Sequence, residues 1–203
     1  MYRIPNIVAT LSSPWATLRN GPGKQPAVFL TIDDGPVPEN TPLILDKLRS
    51  HNVPASFFLV GEKVEMYPSL THEIRKHGHA LHSHGYTHVH NKELSLNEFT
   101  HSVNQAASLI GSTVYRPPYG KIPIRYARWL NKNGYKLMLW NVDVRDYRNR
   151  PPEPHVIDGF LQKIQPGDIV LLHDKPECVH TTPIFIDHIV RVLRGKGITF
   201  SVF

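Results

Sequence analysis

With 203 residues the chain is long enough for one sizeable hydrophobic core and falls within the size of a single domain. Lys and Arg outnumber Asp and Glu by 23 to 17, a net charge of +6, but the basic residues are scattered; this argues against nucleic-acid binding and leaves attraction to an anionic wall polymer or membrane surface open. A single cysteine, Cys178, excludes an intrachain disulfide, and no run approaches the roughly 18 apolar residues of a membrane helix.

Residues 1–26 read as an irregular N-terminal arm. Its opening apolar stretch carries one Arg and is broken by Pro5 and Asn6, too weak a pattern for a signal peptide. The default compartment is therefore the cytoplasm; an extracellular or periplasmic one would follow from a leader already removed.

From residue 27 onward apolar β-type runs alternate with amphipathic helical segments. Strands are predicted at 28–32, 55–60, 79–83, 114–116, 136–142, 169–173 and 198–202, with six helices between them. Thr41-Pro42 and Thr182-Pro183 each place a capping hydroxyl before a proline suited to the first helical position, and Ser95-Leu-Asn-Glu98 is a capping box. Gly78, Gly111 and Gly134 close three of the helices. Seven strands alternating with six helices predict a parallel α/β sheet, either closed into a barrel or open and doubly wound. Residues 146–154, with Arg148, Arg150 and three prolines just after Arg145, read as a surface loop.

The first strand ends in Asp33 and Asp34, followed by the turn Gly35-Pro36. Adjacent carboxylates repel, so a cation or a positive side chain is needed to compensate them. Residues 78–90 hold five of the 13 histidines, and among these His84 and His88 stand four apart, which puts both rings on one side of a helical turn or of a tight loop like one. A His-rich stretch alone also fits a solvated surface or a loose metal-scavenging tract; the paired aspartates favour a defined site. Two imidazoles and a carboxylate suit Zn²⁺ with a fourth position left for water, and Co²⁺, Ni²⁺ or Mn²⁺ fit the same donors.

Parallel α/β folds gather ligands at the carboxyl ends of their strands. Polar clusters occupy those ends five times here, at Asp33-Asp34, at His84 and His88, at 116–120, at 143–146 and at His173-Asp174. A shared site explains this repetition better than five separate structural roles. The individual alternatives are an ordinary surface ion pair for Arg116, a capping or turn carboxylate for Asp146 and a core position for His173. Cys178, beside Glu177, reads as incidental rather than nucleophilic, and His79, His82 and His90 read as surface or supporting residues.

These residues, from about Ala27 to Phe203, resemble the polysaccharide deacetylases with a NodB-homology domain, also called carbohydrate esterase family four. The motifs that carry the resemblance are Thr31-Ile-Asp-Asp-Gly-Pro36, His84-Gly-Tyr-Thr-His88, Arg116-Pro-Pro-Tyr-Gly120, Asp143-Val-Arg-Asp-Tyr147 and Leu171-Leu-His-Asp174, in that order. Three positions depart from the family pattern: Ile32 for Phe, Gly85 for a hydroxyl residue and Tyr147 for Trp.

The resemblance implies a distorted (β/α)7-type barrel with outer helices, formed by residues 27–203 as one domain. It further implies a metal-dependent hydrolase that removes N-acetyl groups from N-acetylglucosamine-containing glycans of the peptidoglycan or chitin-oligosaccharide type. Asp34, His84 and His88 would hold the metal, Asp33 would be the general base and His173 the general acid. Arg116 would orient Asp33, and Asp146 would keep His173 protonated. Tyr119 would offer its backbone N–H to the oxyanion, while Tyr147 would wall the acetyl or sugar pocket. The same apparatus also suits another deacylase or deformylase of a sugar or small amide, or an O-acetyl esterase, and more remotely a non-catalytic glycan-binding barrel.

Overall fold

The computed structural model describes residues 1–3, 27–148 and 150–203. At its centre lies β2 (Ala27–Asp33), paired in parallel with β3 (Ser56–Leu59) on one side and with β8 (Ile169–His173) on the other. All three are short apolar runs buried on both faces, the pattern that parallel strands covered by helices require. The sheet continues through β4 (Ala80–Ser83), β5 (Val114–Tyr115) and β6 (Lys136–Leu137) beyond β3, and through β7 (Val142–Asp143) beyond β8. These seven parallel strands form a curled sheet, a distorted (β/α)7 barrel.

The helices lie outside it: α1 (Thr41–Ser50), α2 (Gly61–Met66), α3 (Pro68–Lys76), α4 (Leu96–Ile110), α5 (Ile124–Lys132), α6 (Pro154–Leu161) and α7 (Thr182–Gly195). The alternation along β2 decides what each face does. Val28, Leu30 and Ile32 enter the large core shared with Ile44 and Leu48 of α1 and with Ile186 and Ile189 of α7. Each such fully buried side chain contributes roughly 1.5–3 kcal/mol. Phe29, Thr31 and Asp33 occupy the opposite face, which turns from apolar to charged toward the carboxyl end of the strand. A second cluster, built on Phe99 and Val103 of α4 with Tyr126 and Leu130 of α5, fixes that pair of helices over β5 and β6.

Three expectations need correction. The predicted strand 136–142 is two strands, β6 and β7, which pair with different neighbours, and residues 138–141 cross between them. The barrel reaches seven strands by that division; the predicted strand 198–202 shortens to β9 (Thr199–Phe200), which pairs with β2 away from the main strand order. The N-terminal arm is not wholly irregular: Tyr2–Arg3 form β1, antiparallel to β7, and Arg3 is anchored to Asp168 at 2.6 Å. Residues 4–26 of that arm, including Pro5 and Asn6, lie outside the described residues. No helix among the described residues is long and apolar enough to cross a membrane.

The capping box at Ser95 and Glu98 forms as expected, and Gly111 ends α4 in the left-handed conformation. The two Thr-Pro pairs behave differently. Thr41 and Thr182 are the first helical residues rather than caps, and each hydroxyl donates to a buried carboxylate, Asp174 at 2.6 Å and Asp146 at 2.7 Å. A buried carboxylate competes for the hydroxyl more strongly than a helix N–H does.

Candidate active site

A cleft of about 400 Å³ opens at the carboxyl ends of the strands. Asp33, the last residue of β2, lies in register with Phe58 and with His173 at the end of β8, so sheet pairing alone sets the two functional groups side by side. Asp34 follows in a left-handed conformation (φ 78°), and its N–H donates to the carbonyl of Phe58. That turn aims the two consecutive carboxylates in different directions.

Asp33 faces Arg116. The guanidinium donates to Asp33 Oδ1 at 2.6 Å and to Thr31 Oγ1 at 2.8 Å, lies 3.8 Å over the Phe58 ring and is fully buried. It is therefore not a surface ion pair. Burial lowers the pKa of Arg116, and the neighbouring Asp33 carboxylate pulls it back up.

Asp34 faces the histidines. His84 Nε2 and His88 Nε2 lie 3.3 and 2.8 Å from its Oδ1, and one ligand atom from each of the three residues falls within 4.8 Å of the others. The hydrogen bonds to His84 and His88 hold the Asp34 carboxyl well below the usual range even though burial pushes it up. His84 Nδ1 donates to the carbonyl of Arg116 at 2.8 Å, which fixes the direction of the ring and turns Nε2 toward Asp34. The two rings are brought together by a tight loop, not a helix: Gly85 sits at φ 85°, in the left-handed region that favours glycine. The hydroxyl residue that the family pattern places at this position is thus replaced by one that reaches the same turn without strain.

The buried Asp34 carboxylate meets only the two ring nitrogens on Oδ1 and the Lys175 ammonium on Oδ2, with no neutral hydrogen-bond donor on either oxygen, a setting that suits a cation. One carboxylate, two imidazoles, that of His84 oriented through its second nitrogen, and an open cleft in front of them suit a divalent ion such as Zn²⁺.

On the far wall, His173 Nδ1 lies 2.8 Å from Asp146 Oδ1, and its backbone N–H donates to Asp146 Oδ2 at 2.7 Å. Burial lowers the pKa of His173, but Asp146, with Asp34 and Asp33 behind it, more than offsets this and raises it to about 9. Asp146 itself is fully buried and tied to Thr182, so it is not a loop cap. Asp143 points elsewhere: it accepts from the Arg145 N–H at 2.7 Å and from the Tyr147 hydroxyl at 3.3 Å, and burial raises its pKa.

Tyr119 and Tyr147 both line the cleft and are about half exposed, at 49% and 42%. The Tyr119 ring packs between His88 and His90 at 4.7 and 3.8 Å, and Tyr147 meets His173 edge-on at 5.1 Å. His90 thus supports an aromatic wall. His79 and His82 are buried, not superficial, and burial lowers each to a pKa of about 4; His79 Nδ1 accepts the N–H of Ala55, and His82 bonds Ser112. Cys178 is buried, with its thiol pushed up to about 12 by burial, and is no nucleophile.

Sequence reasoning missed three residues of the cleft, Tyr2, Trp140 and Lys175, while Asp143, read as part of the 143–146 cluster, lines it as expected. Trp140 lay inside a predicted strand. In the structure its ring packs so closely on Gly120 that a Cβ there would stand 2.6 Å away, and its Nε1 donates to the Tyr2 hydroxyl at 3.2 Å. Lys175 follows His173-Asp174 directly, and its Nζ reaches Asp34 Oδ2 at 2.9 Å.

Fold and cleft together define an α/β barrel with a polar site at the carboxyl ends of its strands. The family model "Polysaccharide deacetylase" matches residues 20–138, and the chain belongs to that family. A peptidoglycan-N-acetylglucosamine deacetylase of Bacillus cereus is 31% identical over 89% of this chain and 68% of its own length. A chitooligosaccharide deacetylase of Sinorhizobium fredii is 33% identical over 86% of this chain and 85% of its own. Among solved structures, the peptidoglycan N-acetylglucosamine deacetylase Bc1960, in complex with an N-hydroxybenzamide, superposes with a TM-score of 0.82 at 30% identity, covering 90% of this chain and 88% of that one.

Proposed function

We propose that this protein is a metal-dependent hydrolase that removes N-acetyl groups from N-acetylglucosamine-containing glycans. The observation that carries the reading is the convergence, in one cleft, of a three-residue ligand set with a separately held carboxylate and a separately held, protonated imidazole. A closed structural metal site would need neither of the last two. The names of the relatives support the acyl group and the class of sugar.

Asp34, His84 and His88 would hold the ion, Zn²⁺ by the softness of the donors, which supplies Lewis-acid polarisation of the acetyl carbonyl and lowers the pKa of water. Asp33, oriented by Arg116, takes the proton from water as the water oxygen adds to the carbonyl carbon. The backbone N–H of Tyr119 donates to the developing oxyanion. His173, held protonated by Asp146, gives its proton to the sugar nitrogen as the C–N bond breaks, because an amide nitrogen leaves poorly as an anion. Acetate and the free amine are the products. Tyr147 and Tyr119 flank the bound sugar ring.

Calorimetric titration of Zn²⁺ onto chelator-stripped protein tests the ligand set. One ion should bind per chain, and His84→Ala or His88→Ala should weaken binding by about 100-fold or more, with acetate release from a tetramer of N-acetylglucosamine following occupancy. Undiminished affinity in either variant would refute the assignment.

A further inference from the structure

Lys175 is a cleft residue that the proposed reaction does not use. Its backbone is fixed by the turn in which Cys178 N–H donates to the Lys175 carbonyl, and its side chain, one-third exposed, reaches across to Asp34. Asp34 is its sole charged partner within 4 Å among the described residues, and a divalent ion on that carboxylate would compete for the same charge. The ammonium would then need another anion.

The charge of the cleft points the same way. Asp33, Asp34 and Asp143 are matched by Arg116, His173 and Lys175, so a divalent ion leaves the site positive. One further cation stands at its edge. Arg145 has no carboxylate partner among the described residues and lies over the ring of Tyr2, a wall of the cleft, with its Nε buried and unbonded. A neutral chitin-type oligosaccharide uses none of this charge.

We propose that Lys175 is a specificity residue that selects glycans carrying a carboxylate next to the acetamide being cleaved, with Arg145 adding attraction at longer range. This rests on the deacetylase reading above. A single ammonium matches a single carboxylate, whereas a phosphate dianion calls for several converging donors.

The test uses the zinc-loaded protein and two matched probes. One is a tetrasaccharide in which N-acetylglucosamine alternates with its 3-O-lactyl ether; the other is its methyl ester, identical but uncharged. The wild type should prefer the acid by about tenfold in kcat/KM, mainly through KM, and added salt should erode the preference. Lys175→Met should reduce it to about twofold, and Lys175→Arg should retain it. Equal use of acid and ester by the wild type, or an undiminished preference in Lys175→Met, would overturn the inference. Failure to deacetylate either probe would instead count against the deacetylase reading; calorimetric binding of acid and ester to the wild type and to Lys175→Met then decides the role of Lys175 by the same ratio.

Discussion

Asp33 and Asp34 are neighbours in the chain, yet they meet different partners: a buried guanidinium holds one and two imidazoles surround the other. The same division of labour recurs at His173, where Asp146 sets the proton affinity. Because the folded-state pKa of His173, about 9, lies above the ordinary 6.5, its contribution to stability is complete below about 6.5 and is lost as pH rises through 9. A general acid must be protonated, so the same titration sets the alkaline limb of activity. Asp146→Asn removes the charge that opposes burial, and the alkaline limb of the pH–rate profile should move down by about one pH unit or more. An unmoved limb would separate His173 from the acid role. At this scale the sequence was most readable where an unusual residue type ended an apolar run, as at Asp33, His84 and His173. Lys175 and Trp140 were not, because a lysine after a strand and a tryptophan inside an apolar run have ordinary explanations that only neighbours in space remove.

Among the elements, α4 was the most legible, since its start and stop are both written locally in Ser95, Glu98 and Gly111. Ser95→Ala should cost about 1 kcal/mol in chemical denaturation and leave acetate release unchanged, since Ser95 does not line the cleft. The Thr-Pro starts of α1 and α7 were read correctly as helix boundaries and incorrectly as caps. A local pattern cannot reveal that Asp174 and Asp146, 133 and 36 residues away, claim those hydroxyls. The division of 136–142 into β6 and β7 was hidden for a related reason. Both halves are apolar, and what separates them is the choice of different neighbouring strands, which no periodicity records.

For the whole molecule, parallel strands that all run one way deliver polar clusters to one end, and this is why a shared cleft could be anticipated from the strand pattern, whereas the choice of a barrel over an open sheet came from the family resemblance. Tyr2 is the exception, brought to the cleft by the antiparallel pairing of β1, for which residues 1–26 gave no signal. If the ion binds only the folded chain, Zn²⁺ at 100 times its Kd should stabilise it by about 2.7 kcal/mol, a rise in Tm of about 5–10 °C over the chelator-stripped protein. A Tm indifferent to Zn²⁺ would contradict a folded-state ligand set. The most direct test of the proposed mechanism is acetate release from N-acetylglucosamine oligomers by zinc-loaded Asp33→Asn beside the wild type. The account predicts bound Zn²⁺ in both and turnover lower by about 1,000-fold or more in the variant, because the base is gone while Asp34, His84 and His88 remain. Turnover close to that of the wild type would contradict it.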